Sequence, residues 1–112
     1  MPEDAQLKHL KIKTAVVKRL IKEHASYKLQ VVKDEEKAAK LAAEATNEDE
    51  EYVAKKAKEV VKETETMVCD AKGRLKKAVT DLEKLIETVN FPENTGELLE
   101  AEGQIKAASL CT

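Results

Sequence analysis

The sequence predicts an all-α fold, an elongated three-helix bundle with two long helices and one shorter C-terminal helix. Charged residues make up 38% of the chain and aromatic residues only 3%, with 3 Gly and 2 Pro. This composition is typical of long helices that meet along a thin apolar seam. Apolar residues recur every three or four positions, and only residues 45–51 and 90–97 interrupt this periodicity.

The first helix is expected over about residues 5–45. Leu10, Val17 and Ile21 lie on one apolar stripe, and no Gly or Pro interrupts the segment. Asp4 can cap its start. The expected seam positions are 7, 10, 14, 17, 21, 24, 28, 31, 35, 38, 42 and 45.

The second helix is expected over about residues 48–89. Asn47 followed by Glu50 has the spacing of a capping box, which marks the start of a helix. Gly73 lies inside the segment, costs roughly 1 kcal/mol relative to Ala, and favours a bend or soft point. The expected seam positions are 53, 57, 60, 64, 67, 71, 75, 78, 82, 85 and 89.

The third helix is expected over about residues 95–109. Pro92 cannot continue the second helix, and Asn94 with Glu97 repeats the capping-box spacing. Helices joined by short connections run antiparallel, so we expect up-down-up topology with coiled-coil-like packing. With 112 residues, the chain is long enough for one domain, expected over residues 1–112.

The most informative segment is LKIKTAVVKRLIKE, residues 10–23. Residues 1–33 contain eight Lys or Arg and three Asp or Glu, although the net charge of the chain is −2. A basic helix side is either a solvated surface, whose lysine stems cover the seam, or a contact for an acidic partner. Six cations are expected on the side opposite the apolar stripe: Lys8, Lys11, Lys13, Lys18, Arg19 and Lys22.

Other binding classes fit this basic helix less well. The pI is about 5.8 and no aromatic residues alternate with the cations, which argues against a nucleic-acid surface. The apolar side consists of Val, Ile and Ala already needed for the bundle, which argues against a membrane-surface helix. An acidic protein partner is therefore the best functional interpretation, and we expect no nucleic acid and no membrane as partners.

Enzymatic chemistry is not expected. The chain contains no Gly-rich phosphate loop, no HExxH and no GxSxG. His9 and His24 are about four turns apart, and Cys69 and Cys111 lack zinc-site spacing, so we expect no metal and no cofactor. The chain shows no basic-then-apolar leader at its start and no apolar run of about 18 residues. We therefore expect a reduced cytosolic protein.

Residues 10–23 closely resemble the opening helix of the tubulin-specific chaperone A family, also called tubulin-binding cofactor A. Tyr27 matches a family Tyr, and Tyr52-x-x-Lys55-Lys56 is similar to the family's start of the second helix. Met67-Val68, Asp70, Arg74-Leu75 and Asp81-Leu82 resemble a third family segment. Cys69 replaces a family Pro, which leaves open whether the second helix bends near Cys69 or near Gly73.

The resemblance implies a three-helix bundle that binds β-tubulin without nucleotide or metal. It also implies a cytoplasmic, cytoskeleton-associated chaperone that holds folding intermediates or free β-tubulin for later assembly with α-tubulin. Other tubulin-folding cofactors are further expected partners, and the chain is expected to be a monomer or weak homodimer. The candidate contact residues are Lys11, Lys13, Lys18, Arg19, Lys22, Glu23, Tyr27, Tyr52, Lys55 and Lys56.

Two alternatives remain open from the sequence. The first is a helical-bundle adaptor or oligomerisation module with an unknown acidic protein partner, which should be an obligate dimer. The second is a basic-helix binder of RNA or anionic lipid, whose binding should fall steeply with salt.

Overall fold

The computed structural model describes residues 3–111, and all regular secondary structure in this range is helical. Helix α1 spans Asp4–Glu44, α2 spans Glu48–Thr88 and α3 spans Gly96–Ser109. These boundaries lie within one residue of those expected from the sequence. The all-α fold class, with two long helices and a shorter C-terminal helix, is confirmed.

The chain divides into two compact units. Unit 1 contains residues 3–23 and 72–111, and unit 2 contains His24–Ala71. Unit 1 combines the first half of α1, the second half of α2 and the whole of α3. Unit 2 is a two-helix hairpin closed by the short connection after Glu44. That residues 1–112 form a single domain stays a prediction.

Unit 1 has a core of large apolar side chains drawn from all three helices. Leu10 and Val17 of α1 and Leu82 of α2 are completely buried. Phe91, in the connection before α3, is buried in the same cluster. Pro92 cannot continue α2, and the chain turns there so that α3 packs back on the first two helices. The buried members of this cluster are Leu10, Val17, Leu20, Leu75, Leu82, Phe91, Leu98 and Ala101.

Unit 2 has a seam of smaller and more polar side chains. Its buried apolar residues are Ala38, Ala54 and Ala71. The buried Thr64 hydroxyl of α2 donates a 2.7 Å hydrogen bond to the Asp34 carboxylate of α1. Alanine buries little area, so this hairpin gains less from the hydrophobic effect per residue than the leucine-rich core of unit 1.

The expected seam positions of unit 2 are wrong at every second step. Residues 28, 35 and 42 of α1 and residues 53, 60 and 67 of α2 are exposed. The seam instead uses their neighbours Tyr27, Asp34 and Leu41, together with Ala54, Val61 and Val68. Steps of three and four alternate in either order along a helix, and Val53 was a more apolar candidate than Ala54.

The start of α2 confirms the expected cap. The Glu50 backbone N–H donates a 2.9 Å hydrogen bond to the Asn47 side-chain oxygen. The Glu50 carboxylate in turn accepts hydrogen bonds from the backbone N–H and the hydroxyl of Thr46, at 3.0 and 2.7 Å. The side chain therefore reaches one residue further back than in the standard capping box.

The other two expected caps are wrong. At the start of α1, the Glu3 carbonyl accepts from the backbone of Gln6, and the Gln6 side chain accepts from the Glu3 N–H at 2.8 Å. Glu3, rather than Asp4, is thus the N-cap residue. Helix α3 begins after Thr95, which makes no side-chain cap hydrogen bond. The Thr95 N–H donates to the Pro92 carbonyl, and this turn moves the helix start past Asn94.

We expect Gly73→Ala to stabilise the protein by about 0.5–1 kcal/mol, because Ala removes the entropic cost of Gly in a helix. Helix α2 is unbroken at Gly73, the glycine has no positive φ, and an added Cβ would meet no atom within 4 Å. Urea unfolding measures the change. Gly103→Ala in α3 is a matched control with the same open space. Stabilisation by Gly103→Ala alone would contradict this interpretation and indicate that α2 needs Gly73 for a bend.

We expect part of the stability of unit 2 to be lost in acid. The hydrogen bond from Thr64, followed by that from Gln30, lowers the pKa of Asp34 below its ordinary value of 3.8. The folded pKa is therefore the lower one, so the contribution is present above pH 3.8 and is lost as the pH falls through the folded pKa. Thr64→Val should reduce this acid-dependent loss, measured as the melting temperature between about pH 5 and pH 2. Thr66→Val, whose exposed hydroxyl bonds only within α2, should leave the pH profile unchanged.

Candidate functional site

The exposed side of α1 in unit 1 carries a compact group of cations, here called the basic face: Lys8, Lys11, Lys18, Arg19 and Lys22. All five are exposed. At about 100° per residue, they fall within a sector of about 100° on the helix circumference. The buried residues Leu10, Val17 and Leu20 lie on the other side of the helix. The basic face is therefore presented to solvent by the packing of the core of unit 1.

Lys13 does not belong to the basic face. It is half-buried, and by helix geometry it lies about 180° from Lys22. Its position falls between Val17 and Leu20 on the seam side. The expectation of six cations on one side is thus wrong for Lys13.

Two further candidates, Glu23 and Tyr27, lie where α1 meets α2 rather than on the open surface of α1. Within unit 1, the Glu23 carboxylate accepts a 2.8 Å charge-assisted hydrogen bond from Arg74 of α2. This partly exposed ion pair contributes at most about 1 kcal/mol, and it positions Glu23 beside α2. Tyr27 is half-buried in the seam of unit 2.

The last three candidates lie together at the start of α2, in unit 2. Tyr52 is 60% exposed. The Lys56 ammonium lies 5.2 Å from the centre of the Tyr52 ring and 3.3 Å from the Glu59 carboxylate. Lys55 is exposed next to them. Tyr is one of the residue types enriched among the few side chains that dominate protein–protein binding.

Sequence reasoning missed one exposed apolar residue at the basic face, Ile12. Ile12 is 53% exposed, and helix geometry places it beside Lys8 and Arg19 at the border of the basic face. The signal was present, because Ile12 falls outside every expected seam position. An apolar side chain among cations offers a partner a contact from which water is excluded, which charged side chains alone do not supply.

A groove separates the basic face from α3. Lys11, Thr14, Ala15 and Lys18 of α1 and Glu97 and Glu100 of α3 line this space of about 270 Å³. Across it, two ammonium groups and two carboxylates line opposite walls. Within the described part of unit 1, no ion pair of 4.0 Å or less joins these walls. The sequence did not predict that α3 would place its carboxylates here.

Neither a metal-binding cluster nor a helix able to span a membrane occurs among residues 3–111. Among residues 3–111, no group of three or more His, Cys, Asp or Glu side chains could hold a metal ion. Cys69 is exposed and Cys111 half-buried, and both are free thiols. None of the helices between Asp4 and Ser109 is long and apolar enough to cross a membrane.

The family model described as tubulin binding cofactor A matches residues 5–105. The chain belongs to this family. It is 39% identical over 98 residues to tubulin-specific chaperone A of Oryctolagus cuniculus, with 88% of each chain covered. The family expected from residues 10–23 is thus confirmed.

Two solved structures of family proteins are similar to this fold. Tubulin folding cofactor A from Arabidopsis thaliana superposes with a TM-score of 0.85 at 26% identity, covering 96% of this chain and 98% of that one. The human tubulin chaperone cofactor A superposes with a TM-score of 0.76 at 34% identity, covering 94% and 99%. All ten candidate contact residues lie inside the segment that matches the family model.

Proposed function

We propose that this protein is a tubulin-folding cofactor, a chaperone that binds β-tubulin folding intermediates and free β-tubulin. It holds them for the later folding steps and for assembly with α-tubulin. The observation that supports this most directly is the family match over residues 5–105, which includes the whole basic face. The related proteins are named as tubulin-specific chaperones and tubulin folding cofactors.

The basic face supplies the physical basis of client binding. A patch of fixed cations raises the rate at which an acidic client such as tubulin encounters it in the productive orientation. Lys11, Lys18, Arg19 and Lys22 make the charged contacts in this proposal, and Ile12 makes the apolar one. Lys13 contributes packing of the seam rather than a contact.

The start of α2 supplies a second contact in unit 2. Tyr52 is amphipathic and 60% exposed, and Lys56 lies over its ring. A Tyr with neighbouring cations is a favourable anchor for a partner surface, with Lys55 at its edge. Glu23 and Tyr27 act indirectly, since Glu23 bonds to Arg74 and Tyr27 lies in the seam of unit 2.

The remaining parts of the proposal follow from this mode of action. Holding a client on helix surfaces needs no catalysis, nucleotide or metal. The protein is cytoplasmic and associated with the cytoskeleton, and other tubulin-folding cofactors receive the client from it. It is a monomer or weak homodimer.

Affinity capture from cytosol, with mass spectrometry of the bound proteins, tests this function. We expect β-tubulin to be enriched over α-tubulin. Equal recovery of both would indicate capture of the assembled heterodimer and contradict the preference for β-tubulin. Recovery of no tubulin would overturn the function as a whole.

One observation favours a second candidate, the helical adaptor. Val53, Val60 and Met67 recur every seven residues along α2 and are 43–50% exposed. A seven-residue apolar repeat is typical of a surface that pairs with another helix. Analytical ultracentrifugation separates the two functions, because the adaptor must be an obligate dimer, whereas the proposed chaperone is stable as a monomer.

A further inference from the structure

The groove between α1 and α3 gives the basic face a negatively charged border. Glu97 and Glu100 lie one helical turn apart on α3 and line the same groove as Lys11 and Lys18. Glu100 is exposed and Glu97 half-buried. Both carboxylates therefore act on any anion that approaches these two lysines.

The two carboxylates do not form close ion pairs with the lysines. Within the described residues of α1 and α3, no oxygen of Glu97 or Glu100 lies within 4.0 Å of a lysine ammonium. The lysines thus keep their hydrogen-bond donors available to a partner. The carboxylates act at longer range, where they lower the positive potential that a dense row of anions would meet.

We propose that Glu97 and Glu100 are specificity determinants that make the basic face reject nucleic acid. A polyphosphate presents a charge at every nucleotide and cannot avoid the two carboxylates while it follows the lysines. A folded protein client presents fewer acidic groups at separate points, so it can place them on cations of the basic face that do not line the groove, such as Arg19, and meets less of this repulsion. The border therefore discriminates between partners by repulsion.

This inference rests on the basic face being the contact surface of the proposed function, but its readout does not involve tubulin. The chain also offers a matched control. Glu102 is exposed on α3, and by helix geometry it lies about 140° or more from Glu97 and Glu100. Glu87 of α2 is exposed and, like Glu102, does not line the groove.

The test measures the affinity of the full chain for an oligo-dT of about 20 nucleotides at low salt, by fluorescence anisotropy. The groove variant Glu97→Gln/Glu100→Gln should bind at least about threefold more tightly than the natural chain. The control variant Glu87→Gln/Glu102→Gln has the same net charge and should gain less than half as much. Adding Lys11→Gln/Lys18→Gln to the groove variant should abolish its gain. Circular dichroism checks that helix content is retained.

Two results would overturn the inference. An equal gain in both double variants would show that only the net charge matters, and no gain in the groove variant would show that the border has no effect. Tubulin capture by the natural chain is measured separately. Loss of that capture with a selective gain for oligo-dT would reject tubulin as the client while leaving the border intact.

Discussion

Charge reversal at three positions of the basic face, Lys18→Glu/Arg19→Glu/Lys22→Glu, is expected to lower affinity for β-tubulin by at least about thirtyfold. This corresponds to about 2 kcal/mol, the sum of three lost attractions and three new repulsions at an exposed surface. All three side chains are exposed and away from the core of unit 1, so the fold should be retained. Capture of β-tubulin measures the binding, and circular dichroism measures the helix content.

The matched control reverses three exposed lysines on α2 in the same unit, Lys76→Glu/Lys77→Glu/Lys84→Glu. It changes the net charge by the same amount but leaves the basic face intact. We expect a loss of less than about fivefold, from weaker long-range attraction. Equal losses in both variants would reduce the basic face to general electrostatic steering, and unchanged binding in the first variant would exclude it as the contact.

The largest effect on stability is expected from Leu82→Ala, which should lower the free energy of unfolding by about 3 kcal/mol. Leu82 is completely buried in the core of unit 1. Truncation removes apolar burial and leaves a cavity that neighbouring side chains fill only in part. Urea denaturation of the whole chain measures the change.

Leu99→Ala is the matched control, because it makes the same chemical change at a residue of α3 that is 56% exposed. We expect a loss of less than about 1 kcal/mol. If the two substitutions had similar effects, the leucine cluster of unit 1 would not be the main source of stability.

The helix boundaries could be predicted because local chemistry determines them. Pro92 lacks a backbone N–H and stops a helix, and Asn47 satisfies the backbone N–H of Glu50 at the start of one. These constraints act within a few residues. The same local reasoning failed at Asn94 because the turn from Pro92 to Thr95 took precedence.

The seam of unit 2 could not be predicted from hydrophobicity alone. The sequence favoured Val53 over Ala54, yet Ala54 is buried and Val53 exposed. Asp34 was not expected in a seam, but its hydrogen bond from Thr64 makes that position acceptable. Where apolar content is low, the register of two helices depends on such pairings across the seam, which no single segment reveals.

The candidate site was predictable where it depends on one helix and not where it depends on the packing of two. The order of charges in α1 was sufficient to identify the basic face, and helix geometry applied to Lys13 would have removed it. The border formed by Glu97 and Glu100 was not predictable, because it depends on how α3 packs against α1. The two helices are separated in the sequence by the whole of α2.

The alanine seam of unit 2 has a consequence for how this protein meets a large client. Native proteins open locally at free energies well below that of global unfolding wherever few apolar contacts hold a segment. The hairpin from His24 to Ala71 is such a segment, whereas the larger buried side chains of the leucine cluster in unit 1 are expected to raise the free energy of opening there. Amide hydrogen exchange should therefore be faster in the hairpin. A partner would therefore meet, within one short chain, one unit that opens readily and one that stays closed.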